Sequence, residues 1–187
     1  MMHNIYVIKK ALIFILLVFV VIASLVVIKL SATPAKPQLQ NNGNWPVYSN
    51  DGFEINYPPE FNVKRISLGA NGESIVFYKG SKIATDAALC NTTHLTININ
   101  SGGLCGSLAY KGSTSQIKES SSELFGIEVK RFDDYVVGLP QTPVEVRFSE
   151  IFRNKNTITI SYFVHPDDYS DIEGIADKFE LMIKSLK

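Results

Sequence analysis

The chain has 187 residues, 45% of them hydrophobic, with 18 basic and 18 acidic side chains and no formal net charge. All the acids follow position 50, whereas Lys9, Lys10 and Lys29 precede it, which leaves the rest of the chain at about −3. A charge so small and so interleaved excludes the basic footprint of a nucleic-acid binder and gives no sign of docking on an anionic membrane.

The apolar residues concentrate at the start. Residues Ala11 to Ile28 read ALIFILLVFVVIASLVVI, with no charge, proline or glycine. As a helix this run covers about 27 Å, close to the roughly 30 Å hydrocarbon core, and Lys29 and Leu30 close the gap. It is apolar on every face, which suits lipid better than a globular core. The reading is therefore a cytoplasmic tail over 1–10 and a transmembrane signal anchor over 11–30. A cleaved secretory signal is the alternative, since Lys9 and Lys10 resemble a basic n-region. The run is longer than the usual h-region, and neither Leu30-Ser31-Ala32 nor Thr33-Pro34-Ala35 forms a good cleavage site. The lysines before the run and the long C-terminal part favour the N-terminus in the cytoplasm and the rest outside it.

Residues 31–44, SATPAKPQLQNNGN, hold almost nothing to bury and read as a linker. The remainder, 45–187, is the size of one domain. Period-two alternation predicts strands at Phe53–Tyr57, Leu95–Asn100, Val144–Phe148 and Thr157–Tyr162, with shorter ones at Val63–Ile66, Ile75–Tyr78 and Gly126–Lys130. Pro58-Pro59 stops the first, Ser101-Gly102-Gly103 turns after the second, and Arg153 to Asn156 forms a hairpin turn. Ser113 to Leu124 reads as a weak second helix, and Asp133-Asp134 as a solvated turn. After His165-Pro166, Asp167 or Asp168 caps a strong closing helix. Its apolar face is Ile172, Ile175, Ala176, Phe179, Met182, Ile183 and Leu186. The fold class is α+β, a mainly antiparallel sheet packed by a long C-terminal helix.

The opening of the domain, Trp45-Pro46-Val47-Tyr48 followed by Asp51-Gly52-Phe53-Glu54-Ile55-Asn56-Tyr57-Pro58-Pro59-Glu60-Phe61, resembles the start of PsbP-like domains. The ending, Phe179 to Lys187, is similar to their final helix. The resemblance covers about thirty residues and points to the anchored or exported bacterial branch of uncharacterised members. It implies a sandwich fold shared with an extrinsic photosystem II subunit and a Ran-binding import factor. The matched residues are an aromatic strand and an apolar helix face, so the resemblance implies a fold and no site.

Cys90 and Cys105 are the chain's two cysteines. In an exported domain they suggest one disulfide, worth about 3 kcal/mol in the chain-entropy model; two unpaired buried thiols are the alternative. Cys90, His94 and Cys105 lack the paired spacing of a zinc module, and His165 beside Asp167 and Asp168 reads as a strand end before a helix start. There is no Gly-x-Ser-x-Gly elbow, and the glycines at 69–72 and 102–106 lack phosphate-loop spacing. Asn91-Thr92-Thr93 fits a glycosylation acceptor, relevant only in a eukaryotic source. The polar strand faces, Glu54 and Asn56, Asn98 and Asn100, Glu145 and Arg147, are either a binding sheet or a solvated face. These residues lead to a non-enzymatic, membrane-tethered extracytoplasmic domain that binds or scaffolds another envelope protein. Its expected partners are the bilayer through its helix and possible envelope proteins, with no nucleic acid, cofactor or metal. The rival is an extracytoplasmic hydrolase or metal-dependent binder using His94 or His165 with nearby acids.

Overall fold

Pro58 and Pro59 divide the start of the domain into two separate ladders. The computed structural model describes residues 44–50, 52–69, 72–80, 85–101, 115–139 and 141–187, all within one compact unit, Asn41–Lys187. The expected anchor from Ala11 to Ile28, its tail, nearly all of the linker and Cys105 lie outside the described residues.

Before the prolines, β1 (Val47–Ser49) and β2 (Glu54–Asn56) form a two-stranded antiparallel sheet. The side chain of Asn50 shapes their turn by accepting the backbone N–H groups of Gly52 and Phe53 at 2.9 and 3.0 Å. After the prolines come β3 (Phe61–Ser67), β4 (Glu73–Lys79), the short α1 (Asp86–Leu89), β5 (His94–Ile99), β6 (Ser115–Leu124) and β7 (Ile127–Val136). The chain continues through β8 (Glu145–Phe148), β9 (Ile151–Arg153) and β10 (Asn156–Phe163). A 3-10 segment, Pro166–Asp171, then leads into α2 (Ile172–Lys184). The main sheet runs β3-β4-β5-β10-β8-β7-β6, with β9 paired to β10, and every pairing is antiparallel.

The predicted face of α2 is the docked one. Ile172, Ile175, Ala176, Phe179, Met182 and Ile183 are all buried, in a core shared with Ile75, Phe77, Leu95, Ile97, Val146, Phe148, Ile160 and Tyr162. Phe179 is central to it, stacked on Tyr162 at 4.9 Å and edge-on to Phe61 at 5.4 Å. The end of α2 is pinned to β2, where Glu54 and Lys187 exchange backbone hydrogen bonds at 3.3 and 3.1 Å. The result is a mostly antiparallel sheet with one C-terminal helix, as the alternation and the helical spacing predict.

Four expectations are corrected. Ser113–Leu124 contributes a ten-residue strand and not a helix, because Phe125 and Gly126 both take positive φ and fold it back on β7 in a two-residue turn. Asp133 and Asp134 lie within β7 and not in a turn, and Asp133 is buried at 8% exposure. Neither Asp167 nor Asp168 caps an α-helix: His165 accepts the Asp167 N–H and starts the 3-10 segment, so α2 begins only at Ile172. Asn98 is not on a solvated face, since all six residues of β5 are buried. On the side away from α2, Ser74, Val76, Tyr78, His94, Thr96 and Asn98 are covered, and Leu89 of α1 packs with Val76, Tyr78 and Ile66.

Candidate functional site

The residues singled out in the sequence occupy separate places. Cys90 follows α1 and is partly buried; Cys105 lies outside the described residues. His94 is buried on β5 with Nδ1 2.7 Å from the carbonyl oxygen of Thr92. Burial pushes its imidazole below the ordinary histidine value, against the pull of that carbonyl. The Phe163 ring contacts both histidines, with centroids 5.9 Å from His94 and 6.3 Å from His165. Of the acids beside His165, Asp167 brings a carboxylate oxygen to 3.5 Å from the His165 Nδ1, whereas Asp168 has other partners. Asp168 pairs with Lys79 at 2.6 Å and accepts the Thr93 hydroxyl, while Thr93 accepts the backbone N–H of His165 at 2.9 Å. Burial works against the Asp168 carboxylate, yet the bonds from Lys79 and Thr93 hold its pKa below the ordinary aspartate value. Among the described residues no three His, Cys, Asp or Glu side chains converge in a metal-binding group.

One ionic cluster went unread in the sequence because its members are far apart. Arg131 on β7 bonds Asp133 at 2.6 Å and clasps both carboxylate oxygens of Glu180 on α2, at 2.9 and 2.5 Å. The Tyr162 hydroxyl donates to the same Glu180 at 3.3 Å. Burial alone would lower the Arg131 pKa, but Glu180 and Asp133 outweigh it and raise it. This bidentate grip is a clamp between helix and sheet.

The concave polar site lies elsewhere, where β3, β4, β5 and β10 end beside the β1–β2 turn. Two adjoining hollows of about 580 and 370 Å³ share Arg65, Glu73, Ile99 and Asn156. Tyr48, Ser49, Asn50 and Gly52 wall the smaller, and Ser67, Gly69, Gly72 and Asn100 the larger. Arg65 grips one oxygen of Glu73 through Nε at 2.6 Å and Nη2 at 2.5 Å. Asn100, at φ +50, is fixed on three sides. Its backbone N–H donates to Thr157 at 2.7 Å, its Oδ1 accepts the Thr157 N–H at 2.9 Å, and its Nδ2 donates to Asn156 at 2.8 Å. Gly72 keeps the wall thin, since a Cβ there would sit 3.1 Å from Cβ of Ser101. Burial pushes the Tyr48 hydroxyl up, with Arg65 opposing and Glu73 adding to the rise.

The lining thus holds one balanced ion pair, amides, hydroxyls and an aromatic ring. Arg65 engages Glu73 and Asn100 engages Asn156, and among the described residues the lining has no cysteine or histidine. Asn98–Asn100 was legible as polar, but Arg65, Glu73 and Asn156 meet it only through the sheet's register.

No family model matches the chain, and no curated protein matches it. A solved structure is similar: the solution structure of cyanobacterial PsbP (CyanoP) from Synechocystis sp. PCC 6803. It is 14% identical, has a TM-score of 0.44, and the match covers 76% of this chain and 91% of that one.

Proposed function

We propose that the protein is a membrane-tethered, extracytoplasmic binding or scaffolding domain of the PsbP-like type, not an enzyme, held at the bilayer by a helix over Ala11–Ile28. The order of apolar run, polar linker and folded domain supports the tether. The two matched ends of the domain support the fold type. The observation that carries the binding role is the double hollow around Arg65, Glu73, Asn100 and Asn156, whose lining suits recognition more than bond chemistry. Its ligand belongs to the envelope, as a scaffolded protein or another surface component.

Cys90 and Cys105 join in a disulfide in this reading, which an oxidising compartment permits. Thiol labelling in intact cells tests compartment and bond together. A membrane-impermeant maleimide is expected to label the cysteines only after mild reduction. Labelling that requires the cells to be opened, and needs no reduction, places the domain in the cytoplasm with free thiols and overturns the reading.

A further inference from the structure

We propose that the free edge of β6 accepts an extended, basic segment of a partner protein as an added strand. Among the described residues β6 ends the sheet order and pairs only with β7. Its register is unbroken over ten residues, from Ser115↔Val136 to Leu124↔Ile127, so it carries no bulge, and it contains no proline. Residues 116–121 are all exposed. Edge strands are usually shortened, bulged, interrupted by proline or covered, because a bare ladder edge recruits other chains. β6 has none of these four protections.

What remains is charge, and it is sorted by face. In a two-residue hairpin the closing pair is hydrogen-bonded, so from Leu124↔Ile127 outward every second residue of β6 bonds β7. Ile117, Glu119, Ser121 and Glu123 therefore turn their backbone N–H and C=O groups to the free edge. The same four residues share one face, opposite Asp134, Phe132, Lys130 and Glu128. That face bears four acids against one lysine, and Glu123 stands directly across from Glu128, a like-charged pair that a third strand with a cation would relieve. A second copy of the chain is a poor occupant: antiparallel pairing about Ser120 gathers Glu119 and Glu123 of both copies on one face.

The start of the edge adds two exposed apolar side chains, Ile117 and Val137, at a hollow of mixed polarity. The hollow, of about 620 Å³, is lined by Ile117, Tyr135, Val137 and Leu139 together with Gln116, Lys118 and Gln141, and Ile117 and Val137 are 66% and 58% exposed. The partner segment is thus extended, basic at alternate positions, and apolar at the end that meets this hollow. Main-chain bonds would supply affinity, and the alternate side chains specificity. The inference holds in any compartment and does not rest on the membrane-tethered reading.

The test titrates the full chain in detergent micelles with a labelled, end-blocked nonapeptide that alternates lysine with threonine and ends in leucine. Its counterpart carries glutamate for lysine. The lysine peptide is expected to bind at least tenfold tighter and to slow amide exchange at 117, 119, 121 and 123. Ser121→Pro deletes one outward N–H where a proline is tolerated, and should cut binding at least tenfold, while Ser121→Ala should not. The double substitution Glu119→Lys, Glu123→Lys keeps the strand and should reverse the preference between peptides. Equal binding of the two peptides overturns the proposal, as does full binding by Ser121→Pro. Protection of the same amides that grows with protein concentration alone also overturns it, in favour of a second copy.

Discussion

β5 and β6 are strands of one sheet with opposite surroundings. All six residues of β5 are buried, including His94, Thr96 and Asn98, whereas β6 is exposed from 116 to 121. Among the described residues β5 pairs on both sides, with β4 and β10, and β6 on one. Alternation in Leu95-Thr96-Ile97-Asn98-Ile99 identifies a strand but does not reveal that its polar side is covered too, where Ser74 donates a hydrogen bond to Asn98. In β6 the serine run gives no alternation at all. A strand without a buried face leaves no period-two signal, so its conformation is set by its partner and its turn.

If the β5 half carries the stability, the largest loss should come from its core. Phe179→Ala removes the ring that joins Tyr162 and Phe61, and should cost about 4 kcal/mol. Denaturant unfolding followed by Trp45, the chain's one tryptophan, which packs against this core, measures it. A loss below 1 kcal/mol would mean that α2 is not what secures this half.

Next in size is the clamp that ties the hairpin half to the helix. Arg131→Met leaves Asp133 buried without its cation, and should cost about 3 kcal/mol. If the two halves differ as described, amide exchange in this variant should quicken in β6 and β7 before β5. Equal quickening in all three strands would erase the distinction.

This clamp also marks the limit of what the residues revealed in advance. Ile172 to Leu186 announced the face of α2, because a helix face is written at spacings of three and four. Glu180 lies off that apolar spacing, and its partners Arg131 and Tyr162 are distant in the chain. The candidate hollow follows the same rule: Asn100 was readable at a strand end, while Arg65, Glu73 and Asn156 reach it through the ladders β3–β4, β4–β5 and β5–β10. Asp133-Asp134 read as a solvated turn because two adjacent acids suit the surface, although a buried ion pair also needs acids.

His94 sharpens the comparison through pH. Its folded pKa lies below the ordinary value of 6.5. Below about that pH the unfolded chain takes up a proton that the folded chain resists, so stability present above 6.5 falls as the pH drops toward the folded value. His94→Gln should flatten this part of a plot of unfolding free energy against pH. An unchanged slope would remove the burial of β5's polar face as its cause.

The smallest effect belongs to the seam between the halves. Glu145 of β8 lies directly opposite Asp134 of β7. Burial first, and the Asp134 charge second, raise its pKa above the ordinary 4.5, while Arg147 pulls the other way. For a raised acid the sign is opposite to that of His94: the stabilising contribution is complete below 4.5 and is lost as the pH rises through the folded value. At pH 7 the folded state therefore bears a partly buried charge facing another of the same sign. Glu145→Gln removes it and should raise stability by about 0.5 kcal/mol at pH 7, with no gain at pH 4. Two pH values and one variant suffice. A gain of equal size at both would assign the effect to packing, whereas a loss at pH 7 would mean that Arg147 holds Glu145 more firmly than Asp134 repels it.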